Sequence, residues 1–113
     1  ALAEQLAAAY GAAVETDWYE GPPATCNDGF WASYAAEKAK ERGLNVVPAP
    51  KSLGGEDFAF YQEKVPGMFV LVGTGLSAAI HNPTFRVDPR ALAPTACYLA
   101  ELVRGALGKV KER

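Results

Sequence analysis

The residues best suited to chemistry lie in the middle of the chain. Residues 54–57 form a glycine turn with two acids, and His81 is the sequence's only histidine. Between them runs an uninterrupted apolar segment, 68–72, which is followed by the glycine-rich sequence 73–75. Such a run is typical of a strand covered on both faces, and open α/β sheets place their sites in the loops after buried strands. We therefore expect the loop that carries His81 to hold the functional site.

The glycine-rich sequence invites a second interpretation, because Gly73 to Ala78 formally matches the G-x-G-x-x-A dinucleotide fingerprint. That fingerprint needs a helix that begins at the glycines and directs its N-terminus at a pyrophosphate. Here Asn82-Pro83 interrupts the chain within a few residues, and no second strand ending in an acid follows about 20 residues on. The sequence does not favour nucleotide binding.

Each candidate residue also has a structural explanation. A single histidine is more often structural than a metal ligand. Glu56 and Asp57 begin a predicted helix, where acids interact favourably with the helix dipole. No serine lies in a G-x-S-x-G context, and no signature ties His81 to a thiol.

Cys26 and Cys97 are far apart and in no C-x-x-C pattern, so we expect two buried free thiols rather than a disulfide.

Length and composition exclude several classes of protein. The chain has 113 residues, the size of one domain, and 50% of them are hydrophobic, enough for a modest core. The net charge is -2 with acids and bases mixed, which provides no basic surface for nucleic acid or an anionic membrane. No apolar run approaches the ~20 residues of a membrane span, and the alanine-rich start lacks the basic region of a signal peptide. We expect a cytoplasmic protein.

Periodicity predicts helices that alternate with short strands. Helices are predicted over 2–10, 28–42, 56–64 and about 93–107, and strands over 13–20, 44–47 and 68–72. Asn27 or Asp28 would cap the second helix. The inward-facing residues of the last helix are expected to be Leu99, Leu102, Val103 and Ala106. This order indicates an α/β fold in which the later helices cover a small sheet, while the first helix and strand stand apart.

Two segments resemble a known family. They are GGEDFAFYQEKVPGMFVLVGTG and IHNPTFRVDPRAL. They resemble the C-terminal region of the aminoacylase, hippurate hydrolase and indole-acetyl-amino-acid hydrolase family of di-metal amidohydrolases and peptidases. That family shows a glycine or serine before Glu-Asp-Phe, an aromatic helix, a Val-Pro-Gly turn, a strand with a glycine-rich exit, and then His-Ser-Pro or His-Asn-Pro. The earlier segment AAAYGAAVETDWYEGPPATCND resembles the end of the lid domain that the family inserts in its catalytic domain.

The resemblance implies a domain organisation. The chain would be α/β, part of a zinc-peptidase-like catalytic domain, with a helix-strand remnant of the lid. Residues 1–26 would be the remnant of that lid (dimerisation) domain, and residues 27–113 the C-terminal part of the catalytic domain. The whole enzyme would form a homo-oligomer through the lid.

The resemblance also implies a site. His81, in the His-x-Pro motif, would be a ligand to one of two divalent metals, zinc, manganese or similar. Gly55, Glu56 and Asp57 would line or support the pocket, and Asn27, where the chain returns from the lid, would contact substrate. The reaction implied is hydrolysis of the amide bond of N-acyl amino acids or small peptides.

Several parts of the family's site are missing from this sequence. The family uses a Cys-x-His segment or its equivalent, a Glu-Glu pair that supplies the general base, and a further histidine, none of which occurs here. One histidine cannot hold two ions ~3.5–4 Å apart. We therefore expect a fragment that is inactive and binds no metal by itself. The alternative hypothesis is a non-catalytic α/β module that associates with other proteins through the open edge of strand 13–20.

Overall fold

The computed structural model describes residues 2–75 and 78–110. Those residues form α1 (Leu2–Ala9), α2 (Gly29–Glu41), α3 (Phe58–Gln62) and, after one turn of 3-10 helix at Pro89–Ala91, α4 (Leu92–Val110). All four predicted helices are present, with ends that differ from the predicted ones by a few residues. None of the helices in the described ranges is long and apolar enough to cross a membrane.

Helix α2 begins and ends where side-chain chemistry requires it. The Asp28 carboxylate accepts a hydrogen bond from the Trp31 backbone N–H at 3.0 Å, so Asp28 rather than Asn27 is the N-cap. At the other end Gly43 has φ 72°, the left-handed conformation that glycine adopts at helix C-termini without steric cost. These two signals set the ends of α2, as the sequence predicted.

Helix α4 accommodates a proline because of where that proline lies. The Asp88 carboxylate accepts from the Arg90 N–H at 2.9 Å and starts the 3-10 turn, and α4 follows directly from Leu92. Pro94 is then the third residue of α4. The first turn of a helix leaves its N–H groups without intrahelical partners, so a missing N–H there costs little.

The core is a contact between α2 and α4. Its buried residues are Tyr34, Ala35, Ala39, Tyr98 and Leu102. The Tyr98 hydroxyl donates to the Ala35 carbonyl at 2.9 Å, and Arg42, directly after α2, forms an ion pair with Glu101 of α4 at the surface. The side chains of Trp31, Leu44, Met68 and Val70 pack against this cluster.

The predicted inward face of α4 is partly wrong. Leu102 is buried, but Leu99 and Val103 are 46% and 60% exposed, and Tyr98 is buried instead. Residues 98 and 102 are one turn apart, so the stripe of α4 that contacts α2 is narrow. Other large apolar side chains of α4 are also exposed, among them Leu92 at 59% and Leu107 at 64%.

The described residues form no strand. The segments predicted as strands, 13–20, 44–47 and 68–72, carry neither helix nor β-ladder. A strand exists through hydrogen bonds to a neighbouring strand, and these segments do not pair with one another. The small sheet and the lid strand therefore stay predictions.

The N-terminal part of the chain makes little contact with the α2–α4 core. Helix α1 has no buried residue, and among the described elements it packs against none. Beyond Gly11, whose φ of 64° ends α1, Trp18 and Tyr19 are 85% and 84% exposed. These observations agree with a first helix that stands apart, whereas the domain boundary at residue 26 stays a prediction.

The expectation of buried cysteines is wrong. Cys26 and Cys97 are free thiols, as expected, but both are exposed. Cys97 precedes the buried Tyr98 on α4, so it lies beside the narrow stripe that contacts α2 rather than on it. Cys26 lies in the irregular crossing before α2.

Gly105 allows α2 and α4 to approach closely. A Cβ atom at this position would overlap the Tyr34 hydroxyl and lie 3.1 Å from Tyr34 Cζ. That hydroxyl is buried and has no hydrogen-bond partner among the described residues. The helix-helix contact therefore depends on a glycine facing a tyrosine.

We expect Gly105→Ala to destabilise the chain, because overpacking costs about 1–3 kcal/mol and the better helix propensity of alanine returns at most about 1 kcal/mol. Gly108→Ala is the matched control, since nothing lies within 4 Å of a Cβ there, and it should be neutral or stabilising. In a Tyr34→Phe background the cost of Gly105→Ala should fall. Urea unfolding of the four variants tests this, and equal costs in both backgrounds would show that Tyr34 is not what Gly105 accommodates.

A histidine loop anchored at both ends

His81 lies in a tight turn of the loop between the apolar segment 68–72 and α4. The Asn82 N–H donates to the Ala79 carbonyl at 3.1 Å, which places His81 at the third position of a four-residue turn. The backbone of His81 has φ 69°, in the left-handed region that few residues other than glycine adopt. Its side chain is exposed, and none of the described residues hydrogen-bonds to the imidazole. The imidazole is thus exposed on a constrained backbone.

The Asn-Pro pair after His81 fixes a second turn. The Asn82 side-chain oxygen accepts from the Thr84 N–H at 2.9 Å and from the Thr84 hydroxyl at 2.7 Å. The Asn82 carbonyl accepts from the Phe85 N–H at 2.9 Å. An asparagine that bonds to the backbone two residues on forms an Asx-turn. The His-Asn-Pro order therefore gives a histidine in one hydrogen-bonded turn that is followed directly by a second.

The base of the histidine loop is closed at Asp88. The Asp88 N–H donates to the Thr74 carbonyl at 2.9 Å. Beside it, Gly75 has φ 98°, and a Cβ at Gly75 would lie 3.1 Å from Asp88 Cβ. Only glycine fits both this conformation and this approach. Asp88 therefore starts the 3-10 turn before α4. It also binds Thr74, just after the apolar segment, to the start of that turn.

The Asp88 carboxylate is held in its charged form by Arg90. The Arg90 side chain donates through Nε at 3.0 Å and Nη2 at 2.6 Å, and its backbone N–H donates to the same carboxylate. These hydrogen bonds, the side-chain ones first, lower the pKa of Asp88 below its usual value, and the side-chain ones raise the pKa of Arg90.

Glu56 and Asp57 both lie at the start of α3. Glu56 is half-buried, and its side chain accepts from the Phe58 N–H at 3.3 Å, which is the role of a helix-start acid. Asp57 is exposed and makes no capping hydrogen bond with its side chain. Among the described residues, neither carboxylate belongs with His81 to a group of three or more possible metal ligands.

Gly55 makes a close approach to the crossing that precedes α2. Its φ is not positive, so it does not need the conformational freedom of glycine. A Cβ at Gly55 would instead lie 2.8 Å from Cγ and 3.3 Å from Cδ of the Pro22 ring. The turn before α3 thus packs against Pro22, which lies in the segment predicted to return from the lid.

The side chain of Asn27 binds the backbone of Phe69. Its amide N–H donates to the Phe69 carbonyl at 2.8 Å, and its oxygen accepts from the Phe69 N–H at 2.8 Å. Gln62 donates to the same Asn27 oxygen at 3.3 Å. Gln62 was not predicted as a functional residue, because no motif distinguishes a glutamine in the last position of a short helix.

An apolar groove of about 660 Å³ lies between the two unpaired segments near the core. Residues 44–47 form one wall, residues 69–73 form the other, and the floor is the alanine face of α2 with Tyr98 of α4. Both walls expose apolar side chains, among them Val47 at 68% and Leu71 at 70%. The groove was not predicted from the sequence, because it exists only where predicted strands are left unpaired.

Comparison with known proteins identifies the family of this chain. The family described as Peptidase family M20/M25/M40 matches residues 2–105. The chain belongs to this family. A solved structure is similar as well. It is the crystal structure of a Bacillus subtilis protein described as a dinuclear metal binding peptidase from the M20 family. The two superpose with a TM-score of 0.74 at 45% identity, over 89% of this chain and 28% of that protein.

Curated relatives of the M20 chain include two deacetylases. An N-acetylcysteine deacetylase of Bacillus subtilis (strain 168) is 44% identical over 110 residues, which are 97% of this chain and 29% of the relative. An N-acetyl-L-cysteine deacetylase of the same organism is 33% identical over 112 residues, 99% of this chain and 27% of the relative. The chain therefore spans less than a third of the length of either relative.

We expect Gly55→Val to destabilise the chain by about 1–3 kcal/mol, because the valine side chain would have to displace the rigid Pro22 ring. Gly21→Val is the matched control: nothing lies within 4 Å of a Cβ there, and its φ is not positive. Urea unfolding compares the two. A Gly55→Val curve that coincides with the control would show that the turn before Glu56 tolerates a side chain.

We expect Arg90→Ala to raise the pKa of Asp88, though not fully to its usual value, because the backbone N–H of residue 90 still donates. Since the folded pKa lies below the unfolded one, the carboxylate stabilises the fold above the unfolded pKa, and this contribution is lost as pH falls through the folded pKa. Carbon-detected NMR titration of the Asp88 carboxyl group measures the shift. Arg104→Ala is the control, and an equal shift in both variants would contradict the assignment.

Proposed function

We propose that this M20 chain is the C-terminal part of a metal-dependent amidohydrolase and that it supplies His81 to the di-metal centre of the whole enzyme. The observation that carries the proposal is the presentation of His81: an exposed imidazole without a partner among the described residues, on a backbone with φ 69°, inside the His-Asn-Pro motif. A structural histidine would be expected to be buried or hydrogen-bonded.

The described residues fit a shared metal centre rather than a complete one. The described residues contain no group of three or more His, Cys, Asp or Glu side chains that would hold an ion. A catalytic zinc site takes three protein ligands and a structural one four. His81 would therefore be one ligand among several from elsewhere in the enzyme. When bound, divalent ions lower the pKa of water and polarise a carbonyl.

The other residues of the loop would hold His81 in place. The hydrogen bond from Asp88 to Thr74 closes the loop, and the Asx-turn at Asn82 restricts the chain on the far side of the histidine. Both restrict the backbone before any metal binds, so less conformational entropy is lost on binding. Glu56 and Asp57 would support the pocket from α3.

We infer that the substrates are N-acyl amino acids or small peptides. Support comes from the names of the relatives, which include two N-acetylcysteine deacetylases at 44% and 33% identity. Their names, deacetylases of N-acetylcysteine, agree with the amide hydrolysis that the resemblance implied. The general base and the remaining ligands would come from parts of the enzyme outside this chain.

We also infer that the groove is filled in the whole enzyme by strands that complete a sheet. Its walls are the segments predicted as strands, and its floor is apolar. Residues 1–26 would belong to the lid, and the exposed segment 13–20 would pair there, within the lid or with a second subunit. Exposed apolar surface of this kind marks an interface.

Replacing His81 tests the proposal. In a protein of the family's full length that carries this region, His81→Gly should lower metal content and amidase activity on an N-acyl amino acid together. Glycine is the better replacement because it accepts the φ of 69° that alanine would strain. Ile80→Ala is the control, since Ile80 is 70% exposed in the same loop. Elemental analysis and a turnover assay are the measurements.

The 113-residue chain provides the second arm of the same test. After dialysis it should carry almost no divalent metal, because one imidazole is not a site. One zinc ion per molecule of this chain would contradict the proposal, as would normal metal content and turnover in the full-length His81→Gly variant. The first result would indicate a complete site in the chain itself, and the second a structural histidine.

A further inference from the structure

We propose that Asn27 and Gln62 are positioning residues, which take the place of a neighbouring strand beside Phe69 and so fix the segment that leads to the His81 loop. The inference rests on the proposed function, because it assigns these residues a role in presenting His81. It differs from the expectation that Asn27 contacts substrate.

The contact between Asn27 and Phe69 has the form of a strand pair. One side-chain amide donates to the Phe69 carbonyl and accepts from the Phe69 N–H, both at 2.8 Å. Two antiparallel strands exchange the same two hydrogen bonds between opposed residues. The asparagine thus satisfies both backbone groups of one residue in a segment that pairs with no strand among the described residues.

Gln62 holds Asn27 in this orientation. Its amide nitrogen donates to the Asn27 oxygen at 3.3 Å and to the Gly67 carbonyl at 3.2 Å, while its oxygen accepts from the Cys26 N–H at 3.0 Å. The Asp28 N–H adds a bond to the Gly67 carbonyl at 2.9 Å. One half-buried glutamine therefore joins the crossing before α2, the end of α3 and the start of the apolar segment.

These bonds leave Asn27 little capacity for a substrate. The side-chain oxygen accepts two hydrogen bonds, from Phe69 and Gln62, which occupies both of its lone pairs. Only one N–H of the amide remains unused. We therefore assign Asn27 a role in holding the Phe69 backbone, to which its side chain is hydrogen-bonded.

The clamp formed by Asn27 and Gln62 is one of two anchors of the segment before the histidine. Phe69 is fixed by the clamp, and five residues on, Thr74 is fixed by the Asp88 N–H. The segment leaves the second anchor directly into the loop that carries His81. Loss of the first anchor would allow the segment to shift, and the position of the imidazole would shift with it.

Amide exchange in the 113-residue chain tests the clamp itself. The Phe69 N–H should exchange faster in Asn27→Ala than in the parent chain, whereas Asn27→Asp, which keeps an acceptor oxygen, should preserve part of the protection. Asn45→Ala is the matched control, because Asn45 is exposed and its side chain makes no hydrogen bond among the described residues. Unchanged exchange at Phe69 in Asn27→Ala would overturn the proposal.

A double-mutant cycle in a full-length protein carrying this region tests the link to His81. Asn27→Ala should weaken zinc binding about 10-fold, as the loss of groups that orient a ligand does, and should have no further effect in a His81→Gly background. Asn45→Ala should leave zinc affinity unchanged. An equal effect of Asn27→Ala in both backgrounds would show a general structural role and overturn the positioning role.

The two proposals fail in different ways. If His81→Gly binds zinc as tightly as the parent, the proposed function is wrong whatever Asn27 does. If His81→Gly loses zinc and Asn27→Ala does not weaken its binding, the proposed function stands and the positioning role is wrong.

Discussion

The packing of α4 on α2 through Tyr98 is the contact on which the described structure depends. Tyr98 is 5% exposed, and its hydroxyl donates to the Ala35 carbonyl at 2.9 Å. Burial of that hydroxyl raises its pKa, so the neutral donor is the form favoured in the fold. Five of the six buried hydrophobic residues of the described chain belong to this contact. The clamp lies just before α2 and the loop closure at Asp88 just before α4, so the spacing of the two helices sets the spacing of the two anchors.

The helices could be predicted because their signals are local. An N-cap carboxylate at Asp28, a left-handed glycine at Gly43 and the Asp88-Pro89 pair each act within a few residues of their own backbone. The buried face of α4 could not be predicted as well, since it depends on where α2 lies. Periodicity alone gave equal weight to Leu99 and Leu102, and only the second is buried. The strands depend still more on distant partners, and the described residues do not supply them.

The site residues divide in the same way: those with a local signal could be predicted, and those that depend on distant contacts could not. His81 stood out in the sequence as a single histidine in a recognisable motif, and its exposed turn agrees with the ligand role proposed for it. The need for a glycine at position 55 comes from the Pro22 ring, which lies close to it only after folding. Gln62 had no sequence signal, because its three hydrogen bonds join residues that are close only after folding. Residues that act through the backbone of other segments are the ones that sequence patterns miss.

The central claim is that the imidazole of His81 binds metal in the whole enzyme. Its most direct test is the position of the metal in crystals of a full-length protein carrying this region, located by anomalous scattering at the absorption edge of zinc. We expect one ring nitrogen of His81 about 2.0–2.1 Å from one zinc ion, the ordinary Zn–N distance. A di-metal centre whose ligands are complete without His81, with the imidazole outside bonding distance of either ion, would contradict the account.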